Sequence, residues 1–131
     1  MPEHPSPPAH LVERVRSICV PLADSVEHDA WTGTSWRVHQ TTFAHVVQIT
    51  DRWPPAYARA AGLCGPATVV TFQADELERA ALVAHGRPYF APPWRPGITG
   101  LTIDDATDWV EVAELVTESH RLCARHRRRS R

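Results

Sequence analysis

Two alternating segments stand almost end to end in this chain. Ser35-Trp36-Arg37-Val38-His39 places large apolar residues between polar ones, and Thr42 to Thr50 repeats the pattern with Phe43, Val47 and Ile49 on one face together with His45. Only Gln40 and Thr41 separate them, too little chain for anything but a tight reversal, so the pair is expected to be an antiparallel hairpin. A hairpin with one apolar face is not stable alone. It needs further strands and a layer of helices over that face.

The rest of the sequence supplies both. Leu11, Val15, Ile18 and Leu22 recur at helical spacing, flanked by Val12 and Cys19, and Pro21 marks the end of that first helix. After Trp53-Pro54-Pro55 comes the alanine-rich stretch Tyr57 to Gly65, which has room for a short helix, and Ala67 to Gln73 reads as a third strand. Asp75 with Glu78 three residues on predicts a capped helix that Gly86 ends. Pro88 to Gly97 is too rich in proline for a central strand and is expected to be an edge strand or a shaped loop. Ile98 to Ile103 is the next strand, with Gly100 as a bulge or close-approach position. A last helix, starting near Asp105 or Thr107, carries Trp109, Val112, Ala113, Val116, His120 and Cys123 on one face, with its acids ahead of its arginines. Helix, three strands, helix, one or two strands, helix is the order of an α+β domain, an antiparallel sheet with helices packed on one face. Three zones follow from this: a flexible proline-rich leader at 1–8, one domain at 9–125 and a basic tail at 126–131. A chain of 131 residues fits that single domain.

Charge is distributed unevenly. All 14 basic residues are arginine, and six of them (Arg121, Arg125, Arg127, Arg128, Arg129 and Arg131) lie in the last eleven positions. The remaining eight face 15 acids, so the body carries a net charge of −7 although the whole chain is at −1. Such an acidic body opposes tight duplex binding unless its arginines cluster. Cys19, Cys64 and Cys123 are odd in number and widely spaced, which predicts reduced, buried or partly buried thiols and neither a disulfide framework nor a zinc ribbon. No apolar run is long enough to span a membrane, and Met1 to Pro8 lacks a secretory signal, so a cytoplasmic address without membrane association is expected.

The order of elements and several local strings resemble the MmcQ/YjbR family. The strings are Trp31; Trp36-Arg37-Val38 with Thr42-Phe43-Ala44; Arg87-Pro88-Tyr89-Phe90 leading to Gly100-Leu101-Thr102-Ile103-Asp104; and Trp109 to Val116 continuing through Glu118-Ser119-His120-Arg121-Leu122. The likeness extends from about Leu11 to Arg125. It implies a fold similar to that of the bacterial frataxin homologue, and a DNA-binding label taken from a likeness to a phage double-wing transcription factor. Two departures bear on any anion site. The family's proline-lysine-arginine ending is Ala124-Arg125-His126-Arg127-Arg128-Arg129 here, and the turn after Val38, usually lysine-bearing, is His39-Gln40-Thr41.

Candidate ligand contacts are the aromatic and guanidinium groups Trp36, Arg37, Tyr89, Trp94 and Arg95, which suit nucleobases, planar ligands or phosphates; the alternative is that the aromatics are packing and the arginines solvated. Convergence of Arg37, Arg52, Arg87 and Arg95 on one face would favour a phosphate-bearing ligand, and scatter would leave only the basic end, with Arg125, Arg127, Arg128 and Arg129. His120, Cys123 and His126 share a helical arc but lack a fourth ligand, so no metal and no cofactor are expected, and His39 and His45 are expected at the surface. Acids at Asp104, Asp105, Asp108 and Glu111 are accounted for by helix capping. GxSxG, Walker, GxGxxG and HExxH signatures do not occur, so a non-enzymatic binding module is expected. The family resemblance implies DNA or another nucleic acid as its partner, with the arginine-rich end as independent support; the alternative is a protein-interaction or small-ligand domain using the aromatic and arginine surface.

Overall fold

The computed structural model describes residues 5–129, and the side chains of residues 5–125. Helix α1 (Ala9–Cys19) starts after Pro8, whose carbonyl accepts the amides of Leu11 and Val12. Strands β1 (Ser25–Asp29), β2 (Thr34–Val38) and β3 (Thr41–Ile49) follow, then α2 (Pro55–Ala61), β4 (Ala67–Gln73) and α3 (Glu76–His85). The two-residue β5 (Tyr89–Phe90), β6 (Ile98–Ile103) and the long α4 (Trp109–Arg129) complete the order. All strands pair antiparallel in one sheet, in the order β1-β2-β3-β4-β6-β5. The α+β architecture is therefore the one expected from the sequence.

Two elements differ from expectation. The stretch before Gly33 holds a strand, β1, where the sequence showed only polar residues. Its one aliphatic residue, Val26, is exposed, so no alternation marks it. Backbone pairing with β2 and the Glu27 carboxylate hold it: Glu27 accepts the indole N–H of Trp36 at 3.0 Å and both Nε and Nη2 of Arg16 at 2.9 and 3.0 Å. The reversal between β2 and β3 lies one residue earlier than expected, at His39 and Gln40, whose φ values of 50° and 69° make a tight turn that matches the twist of the strands.

The register of β2 against β3 shifts between Trp36 and Arg37, which pair with Ala44 and Thr42, so Phe43 is an extra residue. The bulge sends both Phe43 and Ala44 into the same core instead of to opposite faces. That core lies on the inner face of the sheet, where Trp36, Val38, Val46, Val70, Phe72 and Leu101 meet α1 and α4. Each large side chain buried there contributes roughly 1.5–3 kcal/mol. On α4 the buried positions are Val112, Leu115, Val116, Ser119 and Cys123. Ser119 joins α4 to two strands at once, its hydroxyl donating to the Phe43 carbonyl at 2.7 Å and accepting the Gln73 amide at 2.8 Å. Trp109, expected to anchor the helix, lies half-buried at the rim under the Arg14 guanidinium, 5.0 Å from its ring centre. His120 sits edge-on against Phe43, its Nε2–H donating to the Ala23 carbonyl at 2.7 Å.

Helix α2 lies on the opposite, outer face, so that face also has a cover. Tyr57 and Ala58 pack there on Val47, Ile49, Val69 and Phe90. The Phe90 ring lies directly over Gly100, where any Cβ would fall inside it; Gly100 is thus a close-approach glycine and not a bulge. Helix α3 is capped as its sequence predicts, the Asp75 carboxylate accepting the Glu78 amide at 2.8 Å, and it buries none of its residues fully. Among the described residues, no helix is long and apolar enough to cross a membrane.

Candidate functional site

The start of α3, the β5–β6 loop and the last turns of α4 enclose a groove of about 700 Å³. Asp75, Glu76 and Arg79 come from α3, Arg95 and Gly97 from the loop, and Cys123 and Arg125 from α4. The loop is held rigidly. Arg79 donates from Nε to the Ile98 carbonyl at 2.9 Å and from Nη2 to the Pro92 carbonyl at 3.1 Å, while the Ala74 amide bonds the Gly97 carbonyl at 2.9 Å. Arg79 is therefore a structural clamp on the two ends of the segment that carries Arg95. Arg95 and Arg125 are exposed. Both offer cationic groups to the groove, against the carboxylates of Asp75 and Glu76.

Cys123 forms part of the groove floor. Burial pushes its thiol up to about 11, against smaller opposing effects from a bond to Ser119 and from the charge of Arg95, so at neutral pH it stays protonated. Burial raises the thiol of Cys19 as well, whereas Cys64 is exposed, the one departure from the expectation of three buried or partly buried thiols.

The aromatic candidates separate. Trp36 is fully buried in the inner core with its indole bonded to Glu27, so its face is not available to a ligand, and its place among the contact residues is corrected on that ground. Arg37, the next residue in the strand, points the other way and is exposed on the outer face, opposite Val26. Tyr89 packs partly on the inner core and edge-on to His85, 5.8 Å between ring centres. Trp94 turns to the outer face, where its ring lies 4.9 Å from that of Tyr57 and it remains 40% exposed. Arg87 lines a separate groove with His85 and Tyr89, and the Arg52 backbone turns back on Cys64, so Arg37, Arg52, Arg87 and Arg95 do not gather around one pocket. Arg95 instead shares its groove with Arg125, a pairing across 30 residues that no local pattern announces. Helix α4 continues through Arg127, Arg128 and Arg129, whose side chains lie outside the described ones.

Sequence reasoning also missed a cluster on the outer face. His45, expected at the surface, is buried there. Its Nε2–H donates to the Thr32 carbonyl at 2.7 Å, which leaves Nδ1 to accept the Tyr57 hydroxyl at 3.2 Å. Burial lowers its pKa, with the Thr32 bond acting weakly in the other direction, and burial raises that of Tyr57. Beside this pair, Trp31 is 72% exposed and meets Trp53 edge-on, 5.8 Å between ring centres. No local signal announced the cluster, since His45, Tyr57 and Trp94 lie far apart in the sequence.

The acids after β6 act as caps. The Asp104 carboxylate accepts the Ala106 amide at 2.8 Å, that of Asp108 accepts the Glu111 amide at 3.2 Å, and Asp105 pairs with His10 at 2.8 Å. Among the described residues, His, Cys, Asp and Glu form no group of three or more placed to hold a metal ion.

The sequence profile of one family, YjbR, matches residues 21–122, from just before β1 into α4, and ends short of Cys123 and Arg125. No curated protein and no solved structure matches the chain.

Proposed function

The chain belongs to the YjbR family, and from that premise we propose that it is a non-enzymatic module that binds nucleic acid by its phosphates, using Arg95, Arg125 and the arginines at 127–129. The observation that carries this reading is the shared groove of Arg95 and Arg125, set where α4 runs on into three more arginines. The α4 backbone from 125 to 129 advances about 6 Å along the helix axis, so four arginine positions fall within its last turn or so. Concentration matters because the body is acidic overall: phosphate would be repelled elsewhere and attracted here. Three of the groups that general-base or nucleophilic chemistry could use are engaged in structure. His45 is held between Thr32 and Tyr57, His120 bonds the Ala23 carbonyl, and the Cys123 thiol stays protonated.

Titration of labelled DNA and RNA at several salt concentrations tests the reading. With five arginines engaged, the log–log slope of affinity against salt approaches about −4. The Arg95→Gln/Arg125→Gln double variant should weaken binding and flatten that slope by roughly 2, and truncation after Cys123 should remove most of the affinity. Equal affinity and slope for parent, double variant and truncation would remove the groove from the account. No binding at low salt by the full chain would overturn the nucleic-acid reading and leave a protein or small-ligand partner for the outer-face aromatics.

A further inference from the structure

We infer that the partner is single-stranded, with its unpaired bases stacking on Trp94 on the outer face and on Trp31 in the β1–β2 loop while its phosphates meet the arginine groove. The inference rests on the nucleic-acid reading and adds to it the strandedness of the partner and the residues that sense it.

The first support is the geometry of the loop that carries Trp94 and Arg95. These neighbours serve opposite sides of the sheet edge: Arg95 reaches the groove with Arg125, and Trp94 reaches Tyr57 on the outer face. A chain of phosphates held at Arg95 therefore passes within one residue of an exposed indole. Because Arg79 clamps Pro92 and Ile98 on either side, Trp94 and Arg95 are presented on a fixed frame. Fixed aromatic and guanidinium groups lose little freedom on binding.

The second support is the aromatic cluster itself. Trp31, 72% exposed, and Trp94, 40% exposed, are large apolar surfaces that folding leaves in water. Each touches another ring at an angle, 75° for Trp31 on Trp53 and 55° for Trp94 on Tyr57, so neither pair is closed face to face. Hydrogen bonds join Thr32, next in the chain to Trp31, to His45 and His45 to Tyr57, whose ring lies against that of Trp94. An indole face accepts any base that is out of a duplex, and none that is stacked within one.

The charge that would hold such a strand lies at the groove, where Arg95 and Arg125 are exposed, one residue along the chain from the Trp94 indole. An exposed indole next in the chain to a guanidinium fits a strand of bases on a phosphate backbone.

The test compares a single-stranded oligonucleotide on the order of a dozen nucleotides with its duplex, against the full chain and the variants Trp31→Leu, Trp94→Leu, Trp94→Phe and Arg95→Gln/Arg125→Gln. Circular dichroism first confirms that each variant is folded; Trp31 is exposed enough for replacement to leave the core alone. The expected result is tighter binding of the single strand, quenching of tryptophan fluorescence, and a loss of about 5-fold or more in single-strand affinity for each leucine variant, with duplex affinity unchanged and Trp94→Phe retaining most of the binding. Equal affinity for both forms, with leucine variants that bind like the parent and arginine variants that bind less, would overturn the inference and leave the phosphate reading standing. Trp-dependent single-strand binding that the arginine variants do not alter would do the reverse. Absence of binding to either form would overturn both.

Discussion

On its inner face the sheet meets α1 and α4 through a continuous apolar core in which the one buried hydroxyl of α4, that of Ser119, has two backbone partners. On its outer face the seven-residue α2 covers a smaller cluster, with a buried imidazole, a phenol hydroxyl bonded to it and the exposed indole of Trp94 against the phenol ring. The inner face is built of groups that water would penalise, so it supplies cohesion. The outer face keeps polar and aromatic groups near the surface, where they contribute less to stability and remain able to meet a partner. Stability and recognition are thus divided between the two sides of one sheet.

The largest expected effect tests this division directly. Trp36→Ala should cost on the order of 3–5 kcal/mol by leaving a large cavity, whereas Trp94→Ala on the outer face should cost about 1 kcal/mol or less. Urea unfolding of both variants makes the comparison, and similar losses would break it. Ser119→Ala comes next, at about 2 kcal/mol, because the Phe43 carbonyl and the Gln73 amide would each lose a partner in a buried place. A thermal midpoint equal to the parent's would show that the Ser119 hydroxyl does not hold α4 to the sheet. On the outer side, Gly100→Ala should cost about 1 kcal/mol or somewhat more, by driving the Phe90 ring away. Phe90 sits on a two-residue edge strand, which can yield where the inner core cannot.

A smaller effect, involving a single proton, belongs to His45. The fold holds its imidazole below its ordinary pKa of 6.5, so the stability that the neutral ring contributes is present above about pH 6.5 and is lost as the pH falls from there towards the folded-state value. Thermal midpoints between pH 7 and 5 should therefore fall more steeply for the parent than for His45→Gln. Parallel curves would show that acidification acts elsewhere. The smallest expected effect is at the inner rim, where Arg14→Ala removes the guanidinium over Trp109 at a cost of about 0.5 kcal/mol, measurable as a small shift of the urea midpoint.

Two dipeptides show what could and could not be known beforehand. Trp36-Arg37 and Trp94-Arg95 are the same pair of residues, and the sequence offered both as one ligand surface. In β2 the alternation of a strand buries Trp36 and exposes Arg37; in the proline-bound loop, neither follows a period, and the loop itself is tied at Pro92 and Ile98 by Arg79 from another element. Strands β4 and β6, the capped start of α3 and the hairpin were legible because period, capping residues and turn length act within a few residues of each other. Strand β1 was not, because an exposed edge strand with one aliphatic residue leaves no pattern, and pairing with β2 alone defines it. By itself the sequence determined the α+β class, the amphipathic stripes of α1 and α4, and the gathering of arginines at one end of the chain. Tertiary structure alone decided which aromatic rings stay exposed, that His45 is buried against Tyr57, and that Arg95 meets Arg125 across 30 residues. The physical reason is range: periodicity and capping are local, whereas burial and the meeting of charges depend on which distant surfaces come together.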